Sequence, residues 1–203
     1  MKSSSKNGFW RLIARHRFVW LLGVLILGVG ADQASKIWAQ RTLAEPYEIE
    51  EHVEIDQEMA VVKKQVFYPV KTIEVMPNFF NLIYKENPAA AFSLTSSIPA
   101  WIRRPLLIGA SILATLFFIF WYFRMRSHDG FLLASFSFIL AGALGNLADR
   151  MRLGYVIDFL DVYAGALGYP QWHWPTFNIA DSLIVIGALG VIYRTLRPCT
   201  NEE

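Results

Sequence analysis

The chain has 203 residues and a formal net charge of +2; hydrophobic residues make up 54%, aromatics 15% and charged residues only 18%. That composition excludes an ordinary soluble domain, offers no basic surface for nucleic acid, and points to a chain that resides in lipid. A single cysteine, Cys199, excludes an internal disulfide framework, a paired-thiol redox motif and a thiolate metal site within one chain.

In chain order, Lys2, Lys6, Arg11, Arg15 and Arg17 lead into an apolar run, Phe18 to Ala31, that continues amphipathically to Gln40. About 20 apolar residues cross a bilayer as a helix, so a first span is expected over 18–38. The same opening has the layout of a secretory signal peptide, with cleavage after Ala31; against this, the polytopic remainder needs a first span to set its topology. Residues 41–103 form a long outward loop. Within it EPYEIEEHVEIDQE, 45–58, carries seven acidic residues and is read as a solvated edge. The stretch that follows is rich in β-branched and aromatic residues and punctuated by Pro69, Pro77 and Pro88, which predicts short strands in a small extramembrane sheet.

Three further spans are expected over 105–123, 131–149 and 177–196. Arg124 and Arg126 lie between the second and third, and Arg194 and Arg197 at the end of the fourth. With all basic clusters on the cytoplasmic side, both termini are inside and the loops 41–103 and 150–176 face outward. Lys63, Lys64, Lys71, Lys85, Arg103 and Arg104 depart from this count, in a loop long enough to obey the charge rule loosely. The expected fold is therefore a polytopic α-helical membrane protein: four transmembrane helices, a β-rich lobe between the first two, and one membrane-embedded domain over 1–203.

Small residues organise the spans. Ser137, Ala141, Gly145 and Asp149 recur every four positions, so one ridge of the third span ends in a carboxylate and should face protein; Val24, Gly28, Asp32 and Lys36 form a similar ridge on the first. All boundary acids gather at the outward ends of spans: Asp32, Asp149, Asp158 and Asp181. Charge at that depth is costly and marks interior or wet cavities. Structural readings stand beside functional ones. Asp32 and Lys36 can neutralise one another, Asp149 with Arg150 and Asn146 can close a helix end, and Asn178 with Asp181 can cap a helix. Asp158, among Val156, Ile157, Phe159 and Leu160, needs a partner or a proton. Paired with Asp181, it could form a dyad sharing one proton, in which the charged carboxylate takes a proton from attacking water and the neutral one hydrogen-bonds the developing oxyanion and returns a proton to the leaving amine. His16, His52, His128 and His173 show no metal-ligand spacing, so no metal or cofactor is expected.

With these residues in view, the chain resembles the lipoprotein signal peptidases, the type II signal peptidases of bacteria. The matching stretches are DQASK at 32–36, NPAAAFS at 87–93, GNLADR at 145–150, VIDF at 156–159 and FNIADSLI at 177–184. The resemblance implies an aspartic endopeptidase of the inner membrane, with Asp158 and Asp181 catalytic and Asp32, Lys36, Asn87, Asn146, Asp149, Arg150 and Asn178 in support. It also implies the substrate, a prolipoprotein cut on the amino side of a diacylglyceryl cysteine, with Arg150 and Asn87 holding the lipidated region. Membrane lipids are the other implied partner, the active site is at the periplasmic face, and a monomer is expected. Two departures stand out: Asn87-Pro88-Ala89 replaces the family's asparagine, any residue, glycine pattern, and 41–76 is longer than the usual connection. The competing class is a nonenzymatic four-span transporter or proton relay, or an inactive lipoprotein-binding relative; a relay expects acids staggered across the bilayer.

Overall fold

The computed structural model describes residues 4–55, 58–88, 99–125 and 129–197. Four helices are long and apolar enough to cross a membrane: α2 (Arg17–Leu43), α3 (Ala100–Arg124), α4 (Gly130–Arg152) and α5 (Ile179–Leu196). Ahead of them lies a short helix that the apolar pattern did not announce, α1 (Ser4–Arg15). Six strands complete the described chain: β1 (Ala44–Ile55), β2 (Glu58–Pro69), β3 (Ile73–Met76), β4 (Phe80–Asn87), β5 (Val156–Ala164) and β6 (Tyr169–His173). The chain divides into two compact units. One comprises Met1–Ser35, Asn87–Val156 and Asn178–Glu203, the other Lys36–Glu86 and Ile157–Phe177.

In the first unit α4 is the central helix, buried along most of its length, whereas α3 and α5 turn many large apolar side chains outward. Lipid is as apolar as leucine, so these helices associate through close packing of small residues rather than by expelling water. Ser137, Ala141, Gly145 and Asp149 are all buried, as a ridge facing protein requires. A methyl group on Gly28 of α2 would lie 2.9 Å from Cβ of Ala141, and one on Gly187 of α5 would lie 2.5 Å from the Ser135 carbonyl oxygen. Toward the other end of the bundle, Ile13, Ala14, Tyr122, Leu133, Ala134 and Leu140 form an apolar core to which Trp10 and Trp20 add. There Tyr122 donates to the Arg17 carbonyl at 2.8 Å.

The helix ends are chemically marked. Asp129 caps α4 by accepting from the Leu132 N–H at 3.0 Å, and its other oxygen pairs with Arg194 of α5. The last turn of α4 closes through Leu153 N–H to Asp149 and Gly154 N–H to Arg150, with Gly154 at φ +82°. That left-handed conformation suits glycine, and a Cβ there would also meet the Arg104 guanidinium.

In the second unit β1 and β2 pair antiparallel over their full length, from Ala44 opposite Pro69 to Ile55 opposite Glu58. β1 follows α2 without a linker, and the hairpin's exit is tied back to the helix end: Val70 N–H donates to the Leu43 carbonyl at 2.9 Å. The other sheet has the order β3-β4-β5-β6. The segment 150–176, read from sequence as an outward loop, thus contributes two strands to the same sheet as residues 73–87. Tyr163 N–H donates to the Phe79 carbonyl and Ala166 N–H to that of Asn78, which itself takes positive φ in the turn between β3 and β4.

Candidate active site

The polar residues of the first unit converge on the start of α5. Asn178 is its N-cap: its side-chain oxygen accepts from the Asp181 N–H at 2.9 Å, and Asp181 Oδ2 accepts from the Asn178 N–H at 3.3 Å, a reciprocal capping box. The other oxygen of Asp181 accepts from Asn146 Nδ2 at 2.7 Å, and Asn146 Oδ1 accepts from Asn178 Nδ2 at 3.2 Å. The ring Asn146–Asn178–Asp181 is therefore closed, and both Asp181 oxygens are engaged by neutral donors. Asn146 and Asn178 are buried, while Asp181 is half-buried.

A second carboxylate holds the same helix end. Asp32 of α2, fully buried, accepts through Oδ1 from the Ala180 N–H at 2.9 Å, one of the donors that a helix start leaves unpaired. Its Oδ2 accepts at 3.2 Å from Nε2 of Gln33, which also lies 2.9 Å from Asp149 Oδ1 and 3.1 Å from the Gly145 carbonyl. Two amide protons are thus shared among three acceptors from α2 and α4. The approach needs a glycine: a Cβ on Gly145 would sit 2.6 Å from Asp32 Oδ2. The arrangement can hold the Asp181 carboxylate at a fixed angle while its Oδ1 edge stays in a polar, donor-lined environment.

Of the other residues singled out from sequence, Arg150 is half-buried in the last turn of α4 and Asn87 ends β4. Ala89 and the rest of the segment to 98 lie outside the described residues. Lys36, Asp158 and β5 belong to the second unit. Lys36 is fully buried one turn beyond Asp32 on α2. Asp158 is 1% exposed on β5, between Ile157 and Phe159, which are also buried. The strand is fixed there by Phe159 and Leu160, whose N–H groups both donate to the Phe177 carbonyl at 3.0 and 2.9 Å, with Phe177 N–H returning to Leu160 at 3.1 Å.

Sequence reading missed two features. Gln33 sits inside DQASK but carries no charge, and nothing in the spacing marks it as a bridge between carboxylates. Asp161, 3% exposed on β5, pairs with His173 Nδ1 at 2.8 Å and accepts from Asn81 Nδ2 at 3.3 Å, and the His173 ring stacks on Tyr163 at 5.2 Å. His173, which showed no metal-ligand spacing in the sequence, closes β6 onto β5. Among the described residues no three His, Cys, Asp or Glu side chains are grouped as metal ligands.

Comparison with known proteins gives this geometry a context. A family model described as signal peptidase (SPase) II matches residues 24–197. The lipoprotein signal peptidase of Acinetobacter baylyi is 35% identical over 196 residues, covering 96% of this chain and 90% of the relative. That of Vibrio cholerae is 42% identical over 125 residues, 62% of this chain and 69% of the relative, and that of Syntrophus aciditrophicus 39% over 126 residues, 62% and 75%. Two solved structures of a bacterial membrane enzyme, obtained by the in meso method, share the fold. One has a TM-score of 0.65 at 23% identity, covering 90% of this chain and 91% of its own; the other has 0.63 at 24%, covering 88% and 94%.

Proposed function

Because the chain belongs to the signal peptidase II family and removes signal peptides from lipoproteins in a bacterial membrane, we propose that it does so as an aspartic endopeptidase with Asp158 and Asp181 as its catalytic pair. The substrate is a prolipoprotein already carrying a diacylglyceryl group on its cysteine, and the bond cut is on the amino side of that cysteine. The observation that carries the reading is the dedication of a hydrogen-bonded ring, Asn146, Asn178 and the α5 N-terminus, to orienting one carboxylate, Asp181. A helix cap needs only Asn178; the additional donor from Asn146 supports a role beyond capping.

In this mechanism Asp181, accepting a hydrogen bond at each oxygen, is the carboxylate that takes a proton from water as the water oxygen attacks the scissile carbonyl. Asp158, among buried apolar neighbours that disfavour a bare charge, is the carboxylic acid that gives its proton to the carbonyl oxygen. The tetrahedral adduct then collapses. The C–N bond breaks as the amine of the lipidated cysteine takes the proton held by Asp181 and a gem-diol hydroxyl returns its proton to Asp158, and the new carboxyl group leaves with the signal peptide. Asp32, Gln33 and Asp149 act as positioning residues for the start of α5, while Lys36, Arg150 and Asn87 support the fold of the site and the lipidated cysteine. In this reading the enzyme is a monomer of the inner membrane with both termini cytoplasmic and the pair at the periplasmic face, an orientation that the basic clusters at the helix ends support.

The test is cleavage of a purified diacylglyceryl prolipoprotein by the wild type beside Asp158→Asn and Asp181→Asn. Both variants should fold and fail to cut; full activity in either defeats the assignment.

A further inference from the structure

Three residues beyond Asp158 on the same strand, a second carboxylate is buried that the cleavage mechanism does not use. Asp161, 3% exposed, meets Asn81 Nδ2 of β4 at 3.3 Å through Oδ2, and His173 Nδ1 at the end of β6 at 2.8 Å through Oδ1. A carboxylate only accepts, so both neighbours donate to it. The His173 ring stacks on Tyr163 at 5.2 Å, and the Tyr163 hydroxyl donates to Glu74 of β3 at 3.2 Å. Glu74, Tyr163, His173, Asp161 and Asn81 thus form one line of side chains that reaches all four strands of the sheet β3-β4-β5-β6.

Taking a carboxylate out of water is costly, and apolar cross-strand pairs would hold a small sheet as well or better. What a polar tie adds is register. Side chains alternate along a strand, so a slip of one residue turns every side chain of β5 to the other face. A single buried apolar face normally forbids such a slip. Here Val156, Ile157 and Phe159 are buried in succession on both faces of β5, so its apolar pattern does not choose, and all five residues of β6 are exposed. β5 and β6 are matched at Tyr163 opposite His173 and Ala164 opposite Tyr169, with an irregularity between the two. Beyond His173 the chain runs back along β5, with Trp174 N–H donating to the Val162 carbonyl at 2.8 Å and Phe177 bonded to Leu160 in both directions. Backbone bonds are alike at every residue and choose no register; the Asp161–His173 bond does.

The period of two along a strand places Asp158 and Asp161 on opposite faces of β5. Fixing Asp161 to Asn81 and His173 on one face therefore fixes Asp158 on the other. We infer that Asp161 and His173 are positioning residues for the cleavage reaction: their bond, shared with Asn81, sets the register of β5 and with it the face from which Asp158 is presented. The inference rests on Asp158 being catalytic, as proposed above.

The test compares the full-length wild type with His173→Leu, His173→Asn and His173→Gln in cleavage of a diacylglyceryl prolipoprotein, with deuterium exchange followed over residues 156–163. His173→Leu should lower kcat by roughly ten- to a hundredfold, the loss that a small misplacement of a reacting group produces. KM should change little, and exchange over 156–163 should quicken. His173→Asn puts an amide donor where Nδ1 stands and should recover most of kcat; His173→Gln carries its donor one bond farther out and should not. Full kcat in a folded His173→Leu overturns the inference. Equal behaviour of the Asn and Gln variants does so too, because it assigns the effect to the stacked ring. Should His173→Leu fold poorly, Asn81→Leu, which removes the other donor to Asp161, carries the same expectation. Asp158→Asn in the same assay separates this inference from the one beneath it. An inactive Asp158→Asn beside a fully active His173→Leu overturns the register argument alone, whereas a fully active Asp158→Asn overturns the catalytic assignment and the register role with it.

Discussion

Replacement of Asn146 tests the ring around Asp181 most directly. Its amide donates at 2.7 Å to one carboxylate oxygen of Asp181 and accepts from Asn178 at 3.2 Å. A hydrogen bond to a charged group contributes about 1.5–3 kcal/mol net. If it is fully used in the transition state, Asn146→Ala should slow cleavage roughly 10- to 150-fold, with substrate binding little changed. Asn146→Asp is the sharper perturbation, because it replaces a donor by an acceptor. Two charges 2.7 Å apart repel by about 6 kcal/mol at an effective dielectric of about 20, so the variant must take up a proton to restore a donor. Proton uptake is favoured as pH falls; Asn146→Asp should therefore recover activity toward acid pH, relative to wild type, while Asn146→Ala should show a constant deficit. Single-turnover cleavage of a lipidated prolipoprotein at several pH values provides the measurement. Wild-type rates in Asn146→Ala, or an Asn146→Asp profile parallel to that of Asn146→Ala, would refute the argument that Asn146 acts by donating to Asp181.

The remaining predictions concern packing, capping and chemistry. Gly187→Ala places a methyl group 2.5 Å from the Ser135 carbonyl oxygen; forcing α4 and α5 apart should cost about 1–3 kcal/mol, read as a lower unfolding temperature in detergent, and an unchanged temperature would show that the contact has slack. Asp129→Ala removes both the α4 cap and the Arg194 partner, so it should destabilise by about 1 kcal/mol for the cap alone and somewhat more if the ion pair contributes. Its cleavage rate in the folded enzyme should match wild type. Treatment with EDTA should leave cleavage unchanged, since in the proposed mechanism the two carboxylates supply both proton transfers; strong inhibition reversed by added metal would contradict that mechanism.

The four spans were legible because the bilayer imposes a length and a composition that few other environments do. Ser137, Ala141, Gly145 and Asp149 could be read as a buried ridge because helical periodicity is local, and Asn178 with Asp181 could be read as a cap for the same reason. The identity of the family was likewise carried by short contiguous motifs. Other features depend on residues far apart in the chain. That 156–173 joins 73–87 in one sheet follows from pairing across some seventy residues, which no window of sequence contains. Gln33 reaches Asp149 across 116 positions, and Asp32 reaches the Ala180 N–H across 148.

Sequence alone therefore determined that this chain crosses a membrane, that one ridge of α4 is buried, and that Asp149 and Asp181 sit in terminal helix turns, since each follows from periodicity and from the cost of charge in lipid. Tertiary structure decided which donor meets which carboxylate, that α1 packs through Trp10 against Phe131 at the start of α4, and that His173 closes a strand. Hydrogen bonds act only over about 3 Å, and only the folded backbone brings such distant residues within that range.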